Sequence, residues 1–366
     1  MKVLLLITGL GMGGAEKVVT SLADALVAKG HEVLVAYMTG SALVLPTDTR
    51  VKVVNLGMIS KTDAVSAFFK LRRLIREFKP DVLHSHMLHA NVLARLVRLT
   101  TPIERLISTA HNSNEGGKLR MLAYRLTDSL ADMSTNVSAE AVEAFVKAKA
   151  SRSGRMIVVY NGIATDAFSF NVAARERLRH ELLIDNDCRV ILAVGRLHEQ
   201  KDYPNLFHAL AQLSVNGVSY QMCIAGDGPL RSKLEALTVQ LGIADRVRFL
   251  GIRSDVADLM SASDIFVLSS AWEGFPIVVM EAMANERVLV VTDCGGVREA
   301  VGETGYLVKP KDAEALARAL EKALQLPTIQ SAVLGRAARQ RVFEKYSLNA
   351  VVEKWIKIYA GNFCVD

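Results

Sequence analysis

Residues 2–16 read KVLLLITGLGMGGAE, and this stretch decides the fold. Residues 2–8 (KVLLLIT) form a continuous apolar run of strand length, the pattern of a strand covered on both faces. Glycines close the run, and a helical pattern follows over residues 15–29 and stops at Gly30. The alternation then continues, with strands expected at 31–38 (HEVLVAYM), 51–56 (VKVVNL), 80–86 (PDVLHSH), 104–109, 132–137 and 156–160. A helix is expected over 63–78, with further helical stretches between the other strands. The second half restarts the pattern with RVILAVG at 189–195, YQMCIAG at 220–226, RVRFLG at 246–251, DIFVLSS at 264–270 and RVLVVTD at 287–293. After about residue 328 it is wholly helical, through 329–346 and 348–360. The expected class is α/β, with two doubly wound parallel sheets. The domains are expected at 1–165 and 166–347, joined by a polar linker at about 162–188. In such sheets ligands bind beyond the carboxyl ends of strands, where strand order reverses.

Composition agrees with a chain of this size. The 366 residues are 51% apolar and 22% charged, which excludes disordered, collagen-like and small disulfide-scaffold classes. Cys188, Cys223, Cys294 and Cys364 are scattered, without a C-x-x-C pair, and read as free thiols packed as small hydrophobes. No window reaches the roughly 20 apolar residues of a membrane-spanning helix. The opening apolar run reads as a first strand, since no small-residue cleavage site follows it. The expected location is the cytoplasm, in solution or peripherally on the inner face of the membrane.

Candidate site residues follow strands. Gly9-x-Gly11-x-x-Gly14 matches a dinucleotide fingerprint, but the second strand ends Ala36-Tyr37-Met38-Thr39 without the ribose-binding carboxylate, so that reading is rejected. Glu16 follows Gly13 and Gly14 in the first helical turn, where it complements the helix dipole. The two glycines also let backbone approach a phosphate or sugar. In the second half, Ala271-Trp272-Glu273-Gly274-Phe275-Pro276-Ile277 follows a strand, and Glu281 lies in a helix that is apolar almost all round. A buried carboxylate is costly unless satisfied, and the hydroxyls of a sugar or ribose would satisfy it. The amides from Gly274 to Ile277 would form a phosphate-binding helix terminus. Arg196 and Lys201 follow the strand RVILAVG and suit a clamp on a diphosphate. Such a clamp would work without a metal, and no D-x-D motif is expected to supply Mg²⁺ or Mn²⁺.

Glu273 and Glu281 stand in the E-x7-E spacing of retaining glycosyltransferases. With Gly13-Gly14-Ala15-Glu16, Asn161-Gly162-Ile163, Gly195-Arg196 and Lys201, and Gly226-Asp227-Gly228-Pro229 in order, the chain resembles bacterial glycosyltransferase family 4 over nearly its whole length. The resemblance implies a GT-B fold: two Rossmann-like domains facing across a cleft, with the final helix (about 348–366) crossing back to the N-terminal, acceptor-binding domain. It implies a nucleotide-sugar donor, UDP-linked as the commoner type, bound by the C-terminal domain without a cofactor or metal. By resemblance Glu273 holds sugar hydroxyls and Glu281 the ribose, while Arg196 and Lys201 bind the phosphates with Gly14 and the Gly274–Ile277 amides. Gly251, Ile252 and Arg253 occupy the place where the base is read, largely through backbone. His111 matches the histidine near the reacting sugar. His84, His86 and His89 are left as structural. The implied acceptor is a glycan or lipid-linked molecule in bacterial polysaccharide, lipopolysaccharide or capsule assembly, with retention of anomeric configuration.

Charge divides unevenly. Residues 1–165 hold 21 Lys and Arg against 13 Asp and Glu, and residues 166–366 hold 23 against 25. The basic excess concentrates in 68–79 and 118–125. It reads either as solvated helix faces or as a surface for an anionic membrane, and nucleic acid is not an expected partner. The competing functions are a nucleotide-sugar epimerase, a glycogen-type synthase and a non-catalytic nucleotide- or carbohydrate-binding protein.

Overall fold

A computed structural model describes residues 1–113, 115–214 and 217–362. The chain divides into two compact units, Met1–Ile163 with Ser347–Asp366, and Ala164–Tyr346.

The first unit contains strands β1 (Lys2–Gly9), β2 (Glu32–Thr39), β3 (Lys52–Met58), β4 (Val82–His86), β5 (Arg105–Ala110), β6 (Met133–Asn136) and β7 (Met156–Val158). All pair in parallel, in the order β3-β2-β1-β4-β5-β6-β7. Val3, Leu5 and Ile7 point to one apolar layer and Leu4 and Leu6 to the other, which is why β1 reads as a continuous run instead of an alternating one. Strand order reverses between β1 and β4, so the loops after those strands border the crevice.

The closing helix Leu348–Tyr359 belongs to this unit: Val351, Val352, Trp355, Ile358 and Tyr359 complete the core layer under Val3, Leu5 and Ile7. Its entry is pinned where the Leu348 amide donates to the Ile163 carbonyl at 2.8 Å.

The second unit contains β8 (Arg189–Val194), β9 (Tyr220–Ala225), β10 (Val247–Gly251), β11 (Ile265–Leu268), β12 (Val288–Thr292) and β13 (Tyr306–Val308). They form a parallel sheet in the order β10-β9-β8-β11-β12-β13, with its reversal between β8 and β11. Among the described strands, only β13, three residues long, has no counterpart among those expected from sequence.

The linker expected at 162–188 is corrected. From Ala164 onward these residues belong to the second unit, and they include the helix Val172–Glu181. Two of its arginines face inward. Arg175 and Arg179 reach Asp264 at 2.7 and 2.9 Å, and they also bond carbonyls of Ser261, Ala262, Ser263 and Cys188. Burial alone would raise the Asp264 carboxyl, but the two guanidiniums and the Val190 amide outweigh it and hold the group below its ordinary range. Among the described cysteines, Cys188, Cys223 and Cys294 are free thiols, and Cys364 lies outside the described residues. No helix among the described residues is long and apolar enough to cross a membrane.

Candidate active site

In the second unit the two loops at the strand-order reversal are tied to each other. After β8 the chain makes a short turn over Glu199–Lys201, and after β11 it runs through Ser269–Pro276 into the helix Ile277–Ala284. The Ala271 amide donates to the Gln200 carbonyl at 2.8 Å, and the Ser269 hydroxyl donates to the Lys201 carbonyl at 2.7 Å.

Glu273 sits at the centre of this junction, buried. Its Oε1 accepts from Lys201 Nζ at 2.6 Å and from the Ser270 hydroxyl at 2.6 Å, and its Oε2 accepts from Gln200 Nε2 at 3.2 Å. Three donors compensate the desolvation that an isolated buried carboxylate would suffer. Lys201 is therefore engaged with Glu273. Arg196 is exposed, and its side chain makes no hydrogen bond or ion pair among the described residues.

Glu281 is 4% exposed inside the helix Ile277–Ala284, whose Val279, Met280, Ala282 and Met283 are buried around it. The apolar surroundings read from sequence are thus real. Pro276 stands at the cap position ahead of the helix and has no N–H, so it drops out of the expected amide cluster. The first-turn amides of Ile277 and Val278 remain without intrahelical partners.

Behind Glu273 lies Gly295, after β12. It adopts φ +56°, and a Cβ there would stand 2.2 Å from the Glu273 carbonyl oxygen. The Gly296 amide donates to the Gly274 carbonyl at 2.8 Å. After β9, Gly226 adopts φ +145°, with a Cβ position 2.0 Å from the Gly195 carbonyl oxygen. Each place needs glycine for close backbone approach.

The loop Gly251-Ile252-Arg253 presents Ile252 to solvent. Arg253 is held by Asp255 at 2.6 and 2.8 Å and by Glu181 at 3.2 Å, so the guanidinium is occupied locally. These carboxylates also raise its pKa.

In the first unit, the turn after β1 leads through Gly13, whose φ of −154° is ordinary extended backbone, into the helix Gly14–Ala28. Glu16 lies half-buried beside Gly13, and burial raises its carboxyl. His111, one residue beyond β5, is buried. Its Nε2 lies 3.2 Å from Nδ1 of His86, the last residue of β4. Burial pushes His111 down to about 4 and holds His84 and His86 well below the ordinary histidine value, so all three rings are neutral at pH 7. Glu115, four residues after His111, accepts from the His111 main-chain N–H and the Tyr124 hydroxyl, while burial pushes its carboxyl up to about 7.

One D-x-D spacing does occur, Asp185-Asn186-Asp187, against expectation. It precedes the amino end of β8, away from the loops after β8 and β11, and the Asp185 carbonyl accepts from Arg179. No group of His, Cys, Asp and Glu among the described residues is arranged to hold a metal ion. Sequence reasoning missed Ser270, Gln200, Gly295 and Glu115. Of these, only the Cys294-Gly295-Gly296 turn after a strand carried a local signal.

Two doubly wound parallel sheets, with the E-x7-E carboxylates at the reversal of the second, are the arrangement of GT-B glycosyltransferases. The model described as Glycosyltransferase Family 4 matches residues 12–167, and the model described as Glycosyl transferases group 1 matches residues 174–341. The two matches follow one another along the chain, which resembles the GT-B glycosyltransferases of family 4. A Campylobacter jejuni GalNAc-α-(1→4)-GalNAc-α-(1→3)-diNAcBac-PP-undecaprenol α-1,4-N-acetyl-D-galactosaminyltransferase is 28% identical over 380 residues, covering 98% of each chain. An uncharacterized glycosyltransferase of Methanocaldococcus jannaschii is 32% identical over 208 residues, 55% of this chain, which spans about half (53%) of that relative's length. The crystal structure of Anabaena HepE in complex with UDP and glucose superimposes with a TM-score of 0.87 at 22% identity, covering 99% of this chain and 100% of that one.

Proposed function

We propose that this chain transfers a glycosyl group from a nucleotide-diphosphate sugar, a UDP-sugar first, to a hydroxyl of a glycan or lipid-linked acceptor with retention of configuration. The observation that carries the reading is the buried Glu273 carboxylate, held by Lys201, Ser270 and Gln200 at the carboxyl end of β11. In this reading Glu273 accepts from hydroxyls of the donor sugar and Glu281 from the ribose. Arg196, exposed and uncommitted, takes the diphosphate together with the Ile277 and Val278 amides. Lys201 neutralises Glu273, so that this carboxylate does not oppose the charge developing on the departing phosphate. The bond from the anomeric carbon to the phosphate oxygen breaks as the acceptor oxygen bonds that carbon from the same face. The acceptor's proton passes to the leaving phosphate oxygen. No cofactor or metal is required by this scheme.

A lipid-linked acceptor suits the C. jejuni relative, whose name contains PP-undecaprenol. It also suits the helix Lys118–Thr127, which exposes Leu119, Leu122 and Leu126 beside Lys118 and Arg125. That combination fits peripheral contact with an anionic membrane at the cytoplasmic face.

The test is transfer from UDP-sugars with ¹H NMR of the new anomeric signal. Retained configuration and loss of transfer in Glu273→Ala with nucleotide binding intact are expected. Inverted product, or unchanged transfer by the variant, overturns the reading.

A further inference from the structure

Three histidine rings form a continuous buried line in the first unit. His84 Nδ1 meets the Tyr359 hydroxyl at 2.7 Å, and His84 Nε2 meets the Thr109 hydroxyl at 2.7 Å. Its ring centroid lies 4.4 Å from that of Trp355 and 3.9 Å from that of His86. His86 Nδ1 then meets His111 Nε2 at 3.2 Å. Both nitrogens of His84 are therefore committed. His86 has one committed nitrogen, and its Nε2 is buried with no partner among the described residues.

An unpaired buried imidazole nitrogen is costly, and a water is the usual remedy. A cavity of about 10 Å³ adjoins this nitrogen's ring, lined by His86, Thr109, His111, Asn161 and Trp355 among others. That volume is near the minimum for one water molecule.

A hydrogen bond between two neutral imidazoles requires a proton on one nitrogen and a lone pair on the other. His86 Nδ1 and His111 Nε2 cannot both be protonated without repulsion, nor both bare with a bond between them. The contact therefore fixes the rotation of the His111 ring and couples the tautomers of the two rings. The His84 ring packs against the His86 ring at 3.9 Å.

We propose that His86 is a positioning residue for His111, holding its ring in one orientation and one neutral tautomer, with a single buried water completing His86 Nε2. The inference rests on the reading that His111 lies beside the reacting sugar. His86 itself touches no substrate in this scheme.

The test uses the full chain and two near-isosteres. His86→Asn keeps a hydrogen-bonding atom close to the Nδ1 position, whereas His86→Gln removes it from there. Expected are a kcat within about threefold of wild type for His86→Asn, and a fall of about tenfold for His86→Gln with an unchanged KM for the donor, since one hydrogen bond is worth about that factor. Equal losses in the two variants, or full kcat in His86→Gln, overturn the proposal.

¹⁵N-histidine spectra supply a readout that needs neither activity nor a folded variant. In wild-type protein His86 and His111 should each show one neutral tautomer from pH 6 to 8, and a mixture of tautomers overturns the proposal. A wild-type chain that transfers no sugar, or His111→Ala with full transfer, would count against the function assigned to His111 while leaving the spectra to decide the geometry.

Discussion

Replacing Gly295 by alanine separates two costs that the structure combines at this position. The first is conformational: φ of +56° costs an L-residue about 1 kcal/mol relative to glycine. The second is steric: the new methyl would stand 2.2 Å from the Glu273 carbonyl oxygen and 2.7 Å from its carbon, both backbone atoms that cannot rotate aside. Forcing such a contact apart adds about 1–3 kcal/mol. The total is about 2–4 kcal/mol, borne by the loop that presents Glu273. Gly242 is the control, with φ of +68° and nothing within 4 Å of its Cβ position, so Gly242→Ala should cost only about 1 kcal/mol. For a unit of this size each kcal/mol moves Tm by about 2–4 °C. Thermal unfolding of the full chain should place Gly295→Ala at least twice as far below wild type as Gly242→Ala. Calorimetric titration with UDP should show weakened binding only in the former. Equal Tm shifts in the two variants, with UDP affinity unchanged in both, would refute the claim that the Gly295 turn supports the Glu273 loop.

Other outcomes follow from buried charge. Asp264→Ala strands Arg175 and Arg179 and should lower stability by about 3–5 kcal/mol, whereas Asp258→Ala, losing only its exposed partner Arg177, should cost under about 1 kcal/mol in urea titrations. His84, His86 and His111 have folded pKa values below the unfolded value of about 6.5, so the unfolded chain binds more protons and stability should fall as pH drops from 6.5 toward 4. A flat stability profile over that interval in thermal melts would contradict the burial of these rings. Glu115, raised to about 7, shows the opposite sign: its ionised form burdens the fold above pH 7, so Glu115→Gln should be more stable than wild type at pH 8 and lose that advantage below about pH 5. Flotation with phosphatidylglycerol vesicles at low salt should carry the chain upward, and changing Leu119 and Leu126 to serine should abolish this. No flotation of wild type removes the membrane route.

Much of the fold was legible because parallel strands covered on both faces leave a strong trace. RVILAVG and DIFVLSS have no polar alternation to confuse them with surface strands, and each is followed by a loop bearing charge or glycine. Glu281 was legible because a carboxylate beside Val278, Val279 and Met280 contrasts with its surroundings, and Glu273 because it closes the loop after a buried strand. Ser270 and Gln200 were not, since nothing local distinguishes a serine that bonds a buried carboxylate from one that faces water. Their role exists only once two loops, remote in sequence, are joined through the Ala271 amide and the Gln200 carbonyl. The helix Val172–Glu181 was hidden by the opposite effect. Arg175 and Arg179 make it look solvated, yet both spend their charge on Asp264 and on carbonyl oxygens across the unit.

The return of the closing helix makes the first unit discontinuous, with the second inserted whole between Ile163 and Ser347. On the ribosome the inserted unit is therefore complete before the host unit can bury Leu5 and Ile7 beneath Trp355 and Ile358. The host must wait for the last helix with an unfinished apolar layer, a period in which a chaperone has most to protect. The same geometry offers a shortcut: Ile163 and Ser347 are already bridged neighbours running in parallel, so a linker long enough to reverse direction between them would let the host fold without its insert.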